Sequence, residues 1–376
     1  MKKIMIMTNG LYSGGEEKVL QTVLNNLDYS KFDVTLFSMH REELDPEIFR
    51  TQDKYKYKTV FGCSVKPAFL GSFLAKVKGK LFNLCPPKIF RLLYLREKFD
   101  VEIAFLEGEP TKIVSGSLNK KCRKLAWVHT DMIVNNWTDY LYKNTEQERD
   151  AYLKFDEIFC VSESVKEAFI KKYRIENNVS VKYNPVDSAD ILEKSREKSG
   201  LENEKRPLII SVGRLEKPKG YPRLVKCANR LRQEGYEFTL AIAGDGRQRE
   251  SIEQYIDEND LSDTVKLLGF HDNPYKFIAE ADGFICSSYI EGFSTAATES
   301  IILGKPVYTV DCPGMKELFA NEQCGIILPN TTRDLYLLLK HAIVDEKSRE
   351  KYTAAAKRRA EFFDIKARMD DIESVI

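Results

Sequence analysis

The stretch Glu291-Gly-Phe-Ser-Thr-Ala-Ala-Thr-Glu299 sets two carboxylates around small and hydroxyl-bearing residues, directly after the apolar run Gly-Phe-Ile-Cys-Ser-Ser-Tyr. The run reads as a β-strand that ends before Glu291, and a helix opens near Ser294 or Thr295. Glu291 then falls in the turn and Glu299 about one turn into the helix. The free N–H groups of such a helix start, with hydroxyls beside them, suit a phosphate. A carboxylate on either side can accept hydrogen bonds from the vicinal hydroxyls of a sugar or a ribose. A purely structural account has Ser294 or Thr295 capping the helix and Glu299 favouring its dipole. It leaves Glu291 and Gly292 without a purpose.

Other strand ends carry residues of the same kind. Ser-Val-Gly-Arg-Leu-Glu-Lys-Pro-Lys-Gly ends a strand in Gly213 and puts Arg214 and Lys219 in the loop ahead of a helix. A guanidinium fork and a point-charge ammonium suit a diphosphate whose charge must be countered as it leaves. Gly244-Asp245-Gly246 repeats the strand-to-helix turn, and Gly269 and Phe270 follow the next strand, positions that either line a base pocket or simply turn the chain. In the first half, Lys-Leu-Ala-Trp-Val-His-Thr-Asp places His129 at a strand's carboxyl end, the best placed of four histidines. Gly14-Gly15 lies between the first strand and a helix, where backbone can approach a ligand. The full G-x-G-x-x-G dinucleotide fingerprint is absent, which disfavours a nicotinamide or flavin cofactor.

These residues need a scaffold of strand–helix units, and the pattern supplies two in series. Lys-Lys-Ile-Met-Ile-Met-Thr and the strands centred on Phe32–Met39, Phe99–Gly108, Cys122–Thr130, Asp156–Ser164 and Val179–Asp187 alternate with helical stretches. A polar, charged tract over 188–207 follows, and the alternation restarts with six more strands. We expect an α/β chain of two Rossmann-like domains facing one another across a cleft, with ligands at the carboxyl ends of the strands. The expected divisions are a first domain over 1–190, a second over 191–355, and a helix over 356–376 that packs back toward the first domain.

Composition bounds the function classes. Hydrophobic residues make up 43% of 376 and charged residues 31%, with a net charge of +1, so no global bias toward nucleic acid appears. Eight cysteines are scattered without a C-x-x-C pair or a histidine at metal-ligand spacing, and read as buried thiols of a reducing compartment. No run of about 18 apolar residues is present to span a bilayer, and a cytoplasmic protein is expected. Residues 66–96 carry seven Lys or Arg and no acid, interleaved with large apolar residues. That segment is read either as contact with an anionic membrane or as a helical pair with solvated lysines.

The ordered motifs Ser-Gly-Gly-Glu-Glu-Lys-Val, Trp-Val-His-Thr-Asp, Tyr-Asn-Pro-Val-Asp, Ser-Val-Gly-Arg-Leu-Glu-Lys-Pro-Lys-Gly, Ile-Ala-Gly-Asp-Gly, Leu-Leu-Gly-Phe and the Glu291/Glu299 pair cover nearly the whole chain. In this order they resemble the retaining nucleotide-sugar glycosyltransferases of family 4, which have the GT-B fold, and the resemblance implies that 1–190 is the acceptor-binding domain and 191–355 the nucleotide-sugar-binding domain. The resemblance implies that Gly14 and Gly15 approach donor phosphate or acceptor, and that His129 lies beside the donor sugar. It implies that Arg214 and Lys219 hold the diphosphate, that Glu291 with the Gly292–Phe293 backbone holds the sugar, that Ser294 and Thr295 contact phosphate, and that Glu299 takes the ribose hydroxyls. The expected reaction moves a hexose, most simply from a UDP-sugar, to a hydroxyl of a glycan or lipid-linked acceptor in cell-surface polysaccharide synthesis. No cofactor beyond that donor and no metal is expected, since no Asp-x-Asp ligand pair occurs. Glu17-Lys18 stands where relatives commonly have Glu-Arg, and Pro185 where Gly is common, which touches acceptor contacts more than the diphosphate clamp. An epimerase or hydrolase of the same fold, or a non-catalytic nucleotide-sugar-binding subunit, would share most of these residues. An acceptor-dependent product separates the transferase from both.

Overall fold

The computed structural model describes residues 1–11, 15–40, 42–46, 48–61 and 86–376. Gly14, Cys63, Cys85 and residues 66–85 of the basic segment lie outside the described residues. Two compact units are present: Met1–Pro185 together with Met369–Ile376, and Val186–Arg368. The first unit thus ends at Pro185 rather than 190. The polar tract read as a linker opens with a helix, Ser188–Lys194, which Asp187 caps by accepting from the Asp190 N–H. Only Ile191 of that helix is buried, so it has no periodic apolar stripe to reveal it.

The described strands of the first unit are β1 (Lys2–Thr8), β2 (Phe32–Ser38), β3 (Lys56–Thr59), β4 (Val101–Ala104), β5 (Arg123–Val128), β6 (Glu157–Cys160) and β7 (Val179–Val181). They form a parallel sheet in the order β3-β2-β1-β4-β5-β6-β7. The second unit has β8 (Leu208–Val212), β9 (Thr239–Ala243), β10 (Val265–Gly269), β11 (Gly283–Cys286), β12 (Val307–Val310) and β13 (Gly325–Leu328), ordered β10-β9-β8-β11-β12-β13 and again parallel. Helices cover such sheets on both faces, so central strands read as unbroken apolar runs. Ile4 to Met7 of β1 and Leu208 to Ile210 of β8 are accordingly buried throughout. Strand β3 has no such run. It is an edge strand with Lys56 and Lys58 alternating along it, a composition that protects an open edge from mispairing.

In each sheet the chain order reverses at one point, between β1 and β4 in the first and between β8 and β11 in the second. Loops leaving neighbouring strands there diverge and open a crevice at the carboxyl ends. The C-terminal tail, expected as one helix, is broken into the helix Glu346–Ala360, a 3-10 turn over Glu361–Phe363 and the helix Ile365–Glu373. From Met369 onward it belongs to the first unit, where Glu373 accepts from the Asp28 N–H at 2.8 Å and pairs with Lys31 at 2.8 Å, and Asp371 pairs with Lys182.

Candidate active site

The second unit brings several of the expected residues together at its switch point. Strand β8 delivers Gly213, the exposed Arg214 and a 3-10 turn over Lys217–Lys219; strand β11 delivers the loop Ser287–Glu291. Lys219 Nζ lies 2.7 Å from Glu291 Oε1, with 27% and 10% of the two side chains exposed. Burial disfavours the ammonium, but the Glu291 carboxylate outweighs it and raises the Lys219 pKa above the ordinary lysine value. Ser288 Oγ donates to the same Glu291 oxygen at 2.6 Å. The two loops are also stitched through their backbones: Ser287 Oγ donates to Lys219 O at 2.7 Å and the Tyr289 N–H to Pro218 O at 2.7 Å. Between them sits Gly220 at φ +69°, where an added Cβ would fall 2.2 Å from Ser287 O. Only glycine fits that approach.

Beyond this turn, the helix Thr295–Ile302 begins at Thr295, and Ser294 caps it by accepting from the Ala297 N–H at 3.4 Å. The structural reading of Ser294 therefore holds, and its hydroxyl proton is free of that bond. Glu299 is buried within the helix at 2% exposure. Gly292 is backed by Gly314, whose Cβ would meet Gly292 O at 2.4 Å. The glycines at the next strand ends have a packing role. The Gly213 N–H donates to Ala243 O at 3.0 Å and the Gly244 N–H to Gly269 O at 2.7 Å, extending the sheet by one rung each. A Cβ on Gly244 would lie 2.0 Å from Gly213 O. Asp245 bonds its neighbour's N–H, Gly246, and Phe270 stands 71% exposed.

In the first unit, His129 follows β5 and is buried, its ring 5.3 Å from that of Phe105. Neither ring nitrogen has a hydrogen-bond partner among the described residues. Burial pulls its pKa down to about 4, so the imidazole is neutral at neutral pH. Its backbone is held by a residue the sequence reading passed over, Glu107, just beyond β4. One Glu107 oxygen accepts from the His129 N–H at 2.6 Å and from the Thr130 N–H at 2.8 Å. Burial raises the Glu107 pKa to about 7 against the pull of these bonds. Gly108 follows at φ +81°, with Trp137 packed where a Cβ would be. The signal for Glu107 was available: an acid at the carboxyl end of a strand beside the switch. Gly15 opens the helix Gly15–Asn26, whose first turn carries Glu16 and Glu17.

Also missed were Arg223 and Asn330, which bind the Ser287–Tyr289 carbonyls. No spacing rule links residues so far apart in sequence. Of the cations in the basic segment, Arg91 faces inward and pairs with the buried Glu102 at 2.6 Å. Among the described residues no helix is long and apolar enough to cross a membrane, and all six described cysteines are buried thiols.

Known proteins share this organisation. Residues 193–359 match the family Glycosyl transferases group 1, and residues 13–190 match Glycosyltransferase Family 4. The N-acetylgalactosamine-N,N'-diacetylbacillosaminyl-diphospho-undecaprenol 4-alpha-N-acetylgalactosaminyltransferase of Campylobacter jejuni is 30% identical over 375 residues, 97% of this chain and 96% of its own. An uncharacterized glycosyltransferase of Haemophilus influenzae is 25% identical over 331 residues, 87% of this chain and 86% of its own. In fold, the chain is similar to Anabaena Alr3699/HepE in complex with UDP and glucose, at a TM-score of 0.75 and 18% identity over 100% of this chain and 99% of that one. It is likewise similar to the apo form of the lipopolysaccharide outer core galactosyltransferase WaaB, at 0.67 and 18% over 99% and 98%. With two parallel Rossmann-like sheets and a full-length relative at this identity, the chain belongs to the family 4, group 1 glycosyltransferases of GT-B fold.

Proposed function

We propose that this glycosyltransferase is a retaining, metal-independent hexosyltransferase that uses a UDP-sugar and glycosylates a hydroxyl of a glycan or lipid-linked acceptor in cell-surface polysaccharide synthesis. The observation that carries the reading is the Lys219–Glu291 pair at the β8/β11 switch point, with the exposed Arg214 on the same loop as Lys219 and the start of the Thr295–Ile302 helix just beyond Glu291. In the proposed step the acceptor hydroxyl attacks the anomeric carbon on the face the diphosphate leaves. The bond from that carbon to the phosphate oxygen breaks, the bond to the acceptor oxygen forms, and the acceptor proton passes to the departing phosphate oxygen. Lys219 and Arg214 counter the charge that develops on the diphosphate, where one preorganised donor contributes about 3 kcal/mol. Glu291, freed in part from Lys219 as the phosphate takes over that cation, accepts from the sugar hydroxyls with the Gly292–Phe293 backbone beside it. Ser294 and Thr295 contact phosphate, Glu299 takes the ribose, Gly244, Gly269 and Phe270 border the base, and the neutral His129 contacts the sugar.

The Campylobacter relative is named for transfer to a diphospho-undecaprenol-linked saccharide, and the Anabaena neighbour was solved with UDP and glucose. The first supports a lipid-linked acceptor and the second a UDP-sugar donor. The segment 66–96 is proposed as a contact with anionic lipid on the cytoplasmic side; of its described part, Ile89 and Leu92 are exposed on the helix Pro87–Tyr94. Liposome co-sedimentation that does not distinguish anionic from neutral lipid removes this contact. For the reaction, a panel of UDP-, GDP- and ADP-sugars with EDTA present is read by nucleoside diphosphate release and by acceptor product. Release from a UDP-sugar, lost in Glu299→Ala, supports the reading. Release only after Mg²⁺ or Mn²⁺ is restored refutes the metal-independent step, and a β-linked product from an α-donor refutes retention.

A further inference from the structure

We infer that Arg223 is a positioning residue for the Lys219–Glu291 pair, acting with Asn330. Arg223 occupies the third position of the helix Tyr221–Gln233 and is 6% exposed. Its Nη2 donates to Ser287 O at 2.6 Å, to Ser288 O at 3.4 Å and to Asn330 Oδ1 at 2.6 Å, and its Nε donates to Ser287 O at 3.2 Å. Asn330 Nδ2 in turn donates to Ser288 O at 3.2 Å and Tyr289 O at 3.3 Å. The two side chains thus hold three consecutive carbonyls of the loop that leads from β11 to Glu291. The Tyr289 ring closes the outer side, 3.8 Å from the guanidinium carbon.

This arrangement costs more than a simple tether would. No carboxylate pairs with Arg223 among the described residues, and a buried guanidinium satisfied only by neutral acceptors is expensive. Its place in the first helical turn sets it against the positive end of the helix dipole. A planar fork of five donors reaches acceptors spread along a loop in a fixed geometry, over a wider span than the three donors clustered on one ammonium nitrogen. The loop so held carries both contacts that set the pair. Ser288 presents its hydroxyl to Glu291, and Ser287 fixes the carbonyl of Lys219 itself. Arg223 therefore reaches both ends of the pair through the backbone, without touching either side chain.

The consequence for turnover rests on the transferase reading above; the consequence for the pair does not. The test uses the full-length protein as wild type, Arg223→Met, Arg223→Lys and Asn330→Ala, each checked by thermal unfolding. First, reductive methylation of lysines is followed by peptide mass spectrometry. Lys219, tied to Glu291, should react slowly in the wild type. It should react about fivefold faster or more in Arg223→Met, less so in Arg223→Lys and Asn330→Ala, with other lysines unchanged. Second, steady-state kinetics should show kcat lowered about thirtyfold in Arg223→Met with donor KM nearly constant, the signature of a lost transition-state contact. In a Lys219→Met background the same change should add almost nothing. Unaltered Lys219 labelling in folded variants overturns the inference, as does a full additional loss in the Lys219→Met background. If Arg223→Met does not fold, Arg223→Lys and Asn330→Ala decide by the same labelling. Faster Lys219 labelling in the variants, together with a wild-type protein that turns over no donor, would leave the positioning role standing and sink the transferase reading alone.

Discussion

Glu107 and His129 are buried beside one another with pKa values displaced in opposite directions, and their effects on stability should oppose. Glu107 rises from 4.5 to about 7. A carboxyl that holds its proton more tightly when folded gives its full advantage below the unfolded value and loses it as pH climbs through the folded one. At about 1.4 kcal/mol per pKa unit, the first unit should lose about 3 kcal/mol between pH 4.5 and somewhat above 7. His129 falls from 6.5 to about 4. It must stay neutral in the fold, so stability is full above 6.5 and drops by about 3 kcal/mol as pH falls through about 4. Over the shared window the two slopes nearly cancel. Glu107→Gln keeps an acceptor for the His129 and Thr130 N–H groups but cannot ionise, and should uncover the histidine slope, stability rising with pH to about 6.5. His129→Gln should uncover the carboxyl slope, stability falling with pH. Both tryptophans, Trp127 and Trp137, lie in the first unit, so urea unfolding followed by tryptophan fluorescence at pH 4.5, 5.5, 6.5 and 7.5 reads that unit alone. Every other carboxylate is common to the three proteins, and only the differences between their profiles count. Parallel profiles would refute the reasoning, because they would mean that the two groups titrate normally.

Lys219→Met leaves Glu291 largely buried without its cation, which should lower turnover at least about a hundredfold and destabilise the second unit by about 1–3 kcal/mol; kcat and calorimetry check both. Arg214→Ala should lower turnover comparably while unfolding within about 0.5 kcal/mol of wild type, since the side chain is exposed. A Tm shift without loss of turnover would remove Arg214 from the clamp. Gly220→Ala forces a Cβ against Ser287 O at a left-handed φ and should cost about 2 kcal/mol or more, measurable as a lowered urea midpoint of the second unit.

Much of the fold was legible in the chain because its physics is local. A strand buried on both faces must be apolar along its length, so Ile4–Met7 and Leu208–Ile210 announce themselves, as do the helices with a continuous apolar stripe. Elements that lack such a run stayed hidden: the lysine-edged β3, the Ser188–Lys194 helix with one buried residue, and the break at Glu361–Phe363. The residues able to do chemistry were also visible, since glutamates, basic residues and glycines after apolar runs stand out by type and position. Sequence alone therefore determined two parallel α/β units and a short set of strand-end residues. Which of those residues meet was decided only by strand order. Lys219 and Glu291 are far apart in the chain and become neighbours because β11 pairs with β8 rather than with β10. Glu107, beyond β4, comes to hold the turn beyond β5 because those two consecutive strands lie side by side in the sheet. The buried Arg223, Asn330 and the displaced pKa values of Glu107 and His129 depend on desolvation and on donors brought from other elements. These are properties of packing, for which a linear pattern has no local signature.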